Sequence, residues 1–192
     1  VGVVVASSFG LLEGRLDATR IRSGLFSILT QDHLDYHGSM DAYWRAKRAL
    51  FDWPGLQAAV VNLDDPHGAL LASELQPRAD AGALDLWTIA VHAPQARLRV
   101  TGWALTETGL RFELVERLAD GQLSAPQQIS VPLVGEYNLY NLLSALAVAR
   151  VGGIDGLAQE SVLSGGCALA CIALPALGHK VLLFCHATHQ PN

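Results

Sequence analysis

The sequence has few cysteines, few charges and no long apolar run, and each shortage excludes a class of protein. Its three cysteines, Cys167, Cys171 and Cys185, are an odd number near the C-terminus, which does not fit a disulfide framework and predicts a reducing, cytoplasmic location. No apolar run reaches the roughly 18 to 20 residues of a membrane-spanning helix. No basic segment precedes the N-terminal apolar run, so a signal peptide is not expected, and the missing initiator methionine predicts a fragment.

The charge balance excludes further classes. Only 16% of the 192 residues are charged, and the formal net charge is -5. A nucleic-acid binder usually carries a basic face, so we expect no nucleic-acid partner, and no membrane partner either. With 51% hydrophobic residues the chain is not disordered, and its length suits one domain with a core.

Short apolar runs alternate with helical patterns, which predicts an α/β fold with a mostly parallel sheet. We expect strands at 1–6, 21–29 and 58–63. Helices are expected at 39–52, over 68–75 after the Asp65-Pro66 turn, and within 132–150. Asn62 lies at the end of the third strand and Asp64 follows it, where open sheets bind ligands, so we expect both to line that edge.

Between Leu86 and Val134 the pattern changes to short strands separated by turns, with Asp120-Gly121 as one turn pair. This favours a small antiparallel β patch. The aromatic residues Trp87, Trp103 and Phe112 occupy strand positions there and are expected in the core.

One lysine lies on the apolar stripe of the helix at 39–52. Lys47 comes four residues after Tyr43 and three before Leu50, whereas Arg45 and Arg48 point elsewhere. An unpaired buried ammonium is costly, so Lys47 either extends past the apolar face to water or is paired or chemically modified.

The loop before this helix alternates acids and imidazoles: Asp32, His33, Asp35 and His37. Such side chains are ordinary ligands of divalent cations, and carboxylate-rich sites suit magnesium. A solvated turn that caps the next helix explains the same residues equally well.

The run DHLDYHG, followed by AYWRAKRALF, resembles the central domain of the Mur ligase family, most closely its tripeptide synthetase type. The resemblance implies an ATP-dependent ligase of peptidoglycan synthesis that adds diaminopimelate or lysine to a UDP-MurNAc-dipeptide. It also implies that His33 binds Mg²⁺ and that Lys47 is a carbamylated, catalytic lysine that helps to hold the metal. The expected architecture is then an incomplete central domain over 1–150 and a divergent tail over 151–192.

Two further segments carry the resemblance. The stretch SSFGLLEGRLD is similar to the family's substrate-binding segment, which assigns substrate contacts to Ser7, Glu13 and Arg15. On residue type alone, Arg15 suits a surface arginine as well as a carboxylate clamp. The stretch PLVGEYNLYNLL matches the family's nucleotide-proximal motif, which assigns ATP contacts to Asn138 and Asn141. Those two amides share a helix face and could instead cap the backbone.

The chain also departs from the family pattern. Val5 replaces an acidic magnesium ligand, Phe9 replaces a histidine, and Glu13 replaces a glutamine. No glycine-rich loop ending in Gly-Lys-Thr is present to hold phosphates. These departures predict that the chain alone is inactive, and they leave open a non-catalytic α/β domain or binding module.

The tail offers one more, weaker pattern. Cys167, Cys171, Cys185, His186 and His189 are zinc-ligand types, but they lack a usual C-x-x-C pair. We therefore treat a zinc-binding interaction protein as a minor alternative.

Overall fold

The fold centres on one eight-stranded sheet, seen in a computed structural model that describes residues 6–29 and 38–153 and the backbone of 3–4 and 181–184. The strand order is β1-β8-β2-β3-β4-β5-β6-β7. Neighbours from β1 to β5 pair in parallel, and β5, β6 and β7 pair antiparallel. The strands are β1 (Val3–Val4), β2 (Ser23–Phe26), β3 (Ala58–Asn62), β4 (Asp85–Ala90), β5 (Leu98–Thr106), β6 (Gly109–Glu116), β7 (Gln127–Val131) and β8 (Val181–Phe184).

This arrangement confirms the predicted fold class: a mostly parallel sheet flanked by helices, with a small antiparallel part. Strand β8, which belongs to the tail, lies between β1 and β2 in the sheet. The cysteines and histidines of the zinc hypothesis lie outside the described residues.

Four helices accompany the sheet among the described residues: α1 (Ser8–Leu12), α2 (Met40–Arg48), α3 (Pro66–Asp80) and α4 (Tyr137–Val151). A turn of 3-10 helix, Ala49–Asp52, extends α2 to the predicted end. The N-caps Ser39 and Asp65 start α2 and α3 by accepting backbone N–H bonds. No helix in these ranges is long and apolar enough to cross a membrane.

Alternate residues of the central strands pack on opposite faces of the sheet. Leu25 and Val60 face the core formed with α4, whereas Phe26 and Val61 face the core formed with α2 and α3. Helix α4 is apolar nearly all round, and its residues belong to one buried cluster with apolar residues of β4 to β7. Burial on both faces is why these strands read as continuous apolar runs.

Two details of the β region differ from expectation. The strand predicted from Leu86 belongs to the parallel part, because β4 pairs in parallel with β3 and β5. Trp87 and Phe112 are buried as expected, but Trp103 is 39% exposed because β5 extends beyond β4. The Asp120-Gly121 turn is confirmed: Gly121 has φ +82° and its N–H donates to Leu118 O at 2.9 Å.

Candidate functional site

The carboxyl ends of β2, β3 and β4 meet at one edge of the sheet, where parallel α/β sheets bind ligands. The segments that leave these strands are 27–29, 62–65 and 91–93. Side chains from the middle segment fix the other two in place, so the edge has a defined shape.

Asp64 is the centre of this edge. Its Oδ2 accepts the N–H of Val91 at 2.7 Å and of His92 at 2.9 Å, and its Oδ1 accepts the N–H of Ala93 at 2.8 Å. Oδ2 also accepts the Tyr140 hydroxyl at 3.0 Å, which ties α4 to the same carboxylate. Sequence reasoning placed Asp64 at the edge but as a ligand group, and it missed Tyr140 altogether.

Asn62 is likewise engaged by the protein. The amide is buried, donates to Ser27 O at 2.8 Å, and accepts the N–H of Asp64 at 3.0 Å. The expectation that Asn62 and Asp64 line the ligand edge is thus right about position, while their polar atoms hold neighbouring loops together.

Asp65 connects Leu29, which precedes the predicted metal loop, to the start of α3. One carboxylate oxygen accepts the N–H of His67 and of Gly68, and the other accepts the N–H of Leu29 at 2.9 Å. Asp65 thus ties Leu29, which follows β2, to the start of α3.

Tyr140 is the titratable group that this network perturbs most clearly among the described residues. Burial raises the pKa of its hydroxyl, and the nearby Asp64 carboxylate raises that pKa further. The phenol therefore stays protonated and continues to donate to Asp64 over the whole physiological pH range.

Lys47 is buried, with 5% of its surface exposed, on the α2 face that also buries Tyr43 and Trp44. Its Nζ lies 4.8 Å from the centroid of the Tyr43 ring. The side chain therefore does not extend to water, and of the two explanations offered by the sequence, the one in which this lysine is paired or modified fits the geometry.

The predicted metal loop lies outside the described residues, and so does Val5. The loop residues concerned are Asp32, His33, Asp35 and His37. Within the described ranges, no group of three or more His, Cys, Asp or Glu side chains could hold a metal ion. A magnesium site built from three such side chains around Lys47 would therefore need ligands from outside the described residues, such as the predicted His33.

The predicted substrate residues cluster at α1, which packs against α2. Ser7 is the exposed N-cap of α1 and accepts the N–H of Gly10 at 3.0 Å. Arg15 pairs with Glu13 at 2.5 Å, and their side chains are 68% and 41% exposed. An exposed arginine with one carboxylate neighbour remains able to bind an anionic ligand.

The predicted nucleotide residues lie in the first turns of α4. Asn138 donates to Val134 O at 2.8 Å, and Asn141 donates to the Asn138 side-chain oxygen at 3.3 Å. The shared face expected from their spacing is present, whereas only Asn138 bonds the backbone. Just before them, Glu136 pairs with His92 Nε2 at 2.6 Å, which links α4 to the β4 loop.

The profile of the Mur ligase middle domain matches residues 1–149. The chain therefore belongs to the Mur ligase family.

Curated relatives agree. The chain is 49% identical over 156 residues to the UDP-N-acetylmuramoyl-L-alanyl-D-glutamate--2,6-diaminopimelate ligase of Acidovorax sp., an alignment that covers 81% of this chain and 29% of the relative. It is 36% identical to the enzyme of the same name from Vibrio vulnificus over 92% of this chain and 32% of that relative, so this alignment extends past residue 150. The chain thus spans about three tenths of the length of these relatives.

Solved structures share the fold. A structure of a UDP-N-acetylmuramoyl-L-alanyl-D-glutamate--2,6-diaminopimelate ligase aligns with a TM-score of 0.68 at 32% identity, covering 82% of this chain and 30% of that one. MurF from Acinetobacter baumannii aligns with a TM-score of 0.57 at 19% identity, over 75% of this chain and 29% of that one, which is a likeness of fold alone.

Proposed function

We propose that residues 1–150 are part of the central, ATP-binding domain of a peptidoglycan ligase, followed by a divergent tail over 151–192. The reaction would join an amino acid to UDP-N-acetylmuramoyl-L-alanyl-D-glutamate at the expense of ATP. The names of the relatives favour diaminopimelate over lysine as that amino acid.

The observation that carries the proposal is the burial of Lys47 on α2. Carbamylation adds carbon dioxide to a neutral lysine amine and releases a proton, which replaces a costly buried cation with an oxygen-bearing anion. Oxygen anions are the ligands that magnesium prefers. Lys47, together with His33, would hold Mg²⁺, and the ion would neutralise phosphate charge when bound.

For ATP, the residues present fit one end of the nucleotide. The described contacts use one N–H of each of the Asn138 and Asn141 amides and leave the Asn141 side-chain oxygen available for a base. Asp64 and Tyr140 hold this end of α4 against the strand edge, so the pair is presented in a fixed orientation.

For the sugar-peptide substrate, Ser7, Glu13 and Arg15 are all exposed, and Glu13 and Arg15 are in contact. Arg15 would exchange its Glu13 partner for a substrate carboxylate or phosphate, which accept two parallel N–H bonds from a guanidinium. Glu13 would hold Arg15 in place until the anion binds and would then release it.

We further propose that this chain does not catalyse the reaction alone. No Gly-Lys-Thr phosphate loop occurs in its sequence, and Phe9 stands where the family has a histidine. These same features support the alternative of a non-catalytic α/β domain that keeps the fold and some binding surface.

A titration of the isotope-labelled chain with the UDP-MurNAc-dipeptide, monitored by NMR, distinguishes the two possibilities. If the substrate site is present, the substrate should change the chemical shifts of Ser7 and Arg15. Arg15→Ala should lower the affinity for the substrate about tenfold or more, because a charged hydrogen bond is lost. Arg20→Ala, at a neighbouring exposed arginine, is the matched control. Saturating substrate without any change at α1 would favour a non-catalytic domain that has lost this substrate surface, and ATP hydrolysis by the chain alone would contradict the predicted inactivity.

A further inference from the structure

The outer edge of β5 is unpaired along most of its length. β5 pairs with β4 only through Leu98 and Arg99, while its other side pairs with β6 as far as Thr106. Among the residues that the structure describes, no backbone hydrogen bond joins 100–106 to any strand but β6. A row of unpaired N–H and C=O groups is a template for another strand.

Two of the features that usually block strand addition, charge and proline, are absent from this edge, and its pairing with β6 shifts register between Val100 and Gly102. Residues 100–106, VTGWALT, contain no charge and no proline. All of 101–105 is exposed, with 39% of Trp103 and 56% of Leu105 accessible. A Cβ placed on Gly102 would meet nothing within 4 Å, so a neighbouring chain has room to approach.

Residues of opposite charge lie at the two ends of this uncharged edge and favour pairing with a second copy of the chain. Arg99 precedes the run, and Glu107 follows it. If two copies pair antiparallel about a two-fold axis near Trp103, each Arg99 comes towards the Glu107 of the other copy. A parallel pair would instead place like charges together, which is unfavourable. The edge is therefore complementary to itself, as a two-fold interface requires.

We propose that this edge joins two copies of the chain through an antiparallel strand pair, with residues 101–105 of one copy beside residues 105–101 of the other. The two sheets then become continuous, and the Trp103 and Leu105 side chains of both copies cover one another. The pairing uses the exposed β5 edge of both copies at once, so this contact closes at a dimer. This inference is independent of the proposed ligase function.

Light scattering across a concentration series tests the dimer. We expect the mass to rise from the 20.5 kDa of the monomer to twice that value and no further. Leu105→Lys should abolish the rise, because it places a charge within the apolar strand pair, beside Thr101 of the other copy and next to the central Trp103 residues. The matched control is Leu123→Lys, at a leucine 45% exposed on another hairpin, which should dimerise normally. Thermal unfolding confirms that both variants fold.

A charge exchange tests the orientation. Glu107→Arg and Arg99→Glu should each weaken dimerisation roughly tenfold, because each brings like charges together. An equimolar mixture of the two variants should form a heterodimer of wild-type strength, since every facing pair is then opposite in sign. A monomer at all concentrations, growth beyond a dimer, or a mixture no stronger than its components would overturn the proposal.

Discussion

The hydroxyl of Tyr140 donates to Asp64 at 3.0 Å, although the two residues are 76 positions apart in the sequence. The same carboxylate accepts three successive backbone N–H groups from residues 91–93. One aspartate thus holds together the ends of β3 and β4 and the start of α4. The elements that carry the candidate site depend on it.

Replacing Tyr140 by phenylalanine should make stability less sensitive to alkali. Burial, and then Asp64, raise the pKa of Tyr140 above the value of about 10 of an unfolded tyrosine. The folded state therefore binds this proton more tightly, so its stabilisation is complete below about pH 10 and is lost as pH rises towards the folded pKa. Urea unfolding at pH 8 should find the variant about 1 kcal/mol less stable.

At pH 11 the difference in the free energy of unfolding between the wild type and Tyr140→Phe should shrink. The Tyr140 hydroxyl of the unfolded wild type loses its proton at this pH, which stabilises the unfolded state. Comparing two proteins that differ by one oxygen cancels the titration of all other groups. A difference that stays constant from pH 8 to pH 11 would show that the tyrosine proton is not held as the structure implies.

Asp64→Asn should loosen the β4 loop selectively. The amide keeps one acceptor oxygen but turns an N–H group towards backbone donors, leaving some of them unsatisfied at about 1–3 kcal/mol each. We expect the free energy of unfolding to fall by about 2–3 kcal/mol and hydrogen exchange to accelerate at Val91 to Ala93. Asp80→Asn, at the exposed end of α3, is the control. Equal exchange rates at this loop in both variants would contradict the role of Asp64.

Gly68→Ala tests how closely α3 approaches the sheet. In an ordinary helix this change stabilises by up to about 1 kcal/mol. Here a Cβ would lie 1.9 Å from Asn62 O, a backbone atom that cannot move alone. We expect a net loss of about 2–3 kcal/mol in chemical denaturation. Ala69→Ser, one residue on and exposed, should change stability by less than about 0.5 kcal/mol, and a stabilised Gly68→Ala would show that the helix sits farther away.

The sequence predicted those features that depend on residues close together in the chain. The spacing of Tyr43, Lys47 and Leu50 placed the lysine on the buried face of α2, and the Asp65-Pro66 pair located the start of α3. In both cases the deciding contacts lie within a few residues in the chain, or depend only on which face is apolar.

What the sequence could not supply depends on distant partners. Alternating apolar residues gave β4 as a strand but not its parallel pairing, which is set by β3 and β5. Trp103 was assigned to the core because its pattern matches that of buried strands, whereas β5 extends past its neighbour there. The role of Asp64 needed Tyr140 and residues 91–93, which only the folded chain brings together.

The most direct test of the ligase-derived site is carbon-13 NMR of the intact chain in labelled bicarbonate. The sequence has two lysines, Lys47 and Lys180, so a carbamate signal can be assigned by two substitutions. We predict one carbamate resonance that survives in Lys180→Arg, disappears in Lys47→Arg and shifts when Mg²⁺ is added. A signal that persists in Lys47→Arg, or no signal in the wild type, would contradict a carbamylated metal-binding lysine in this domain.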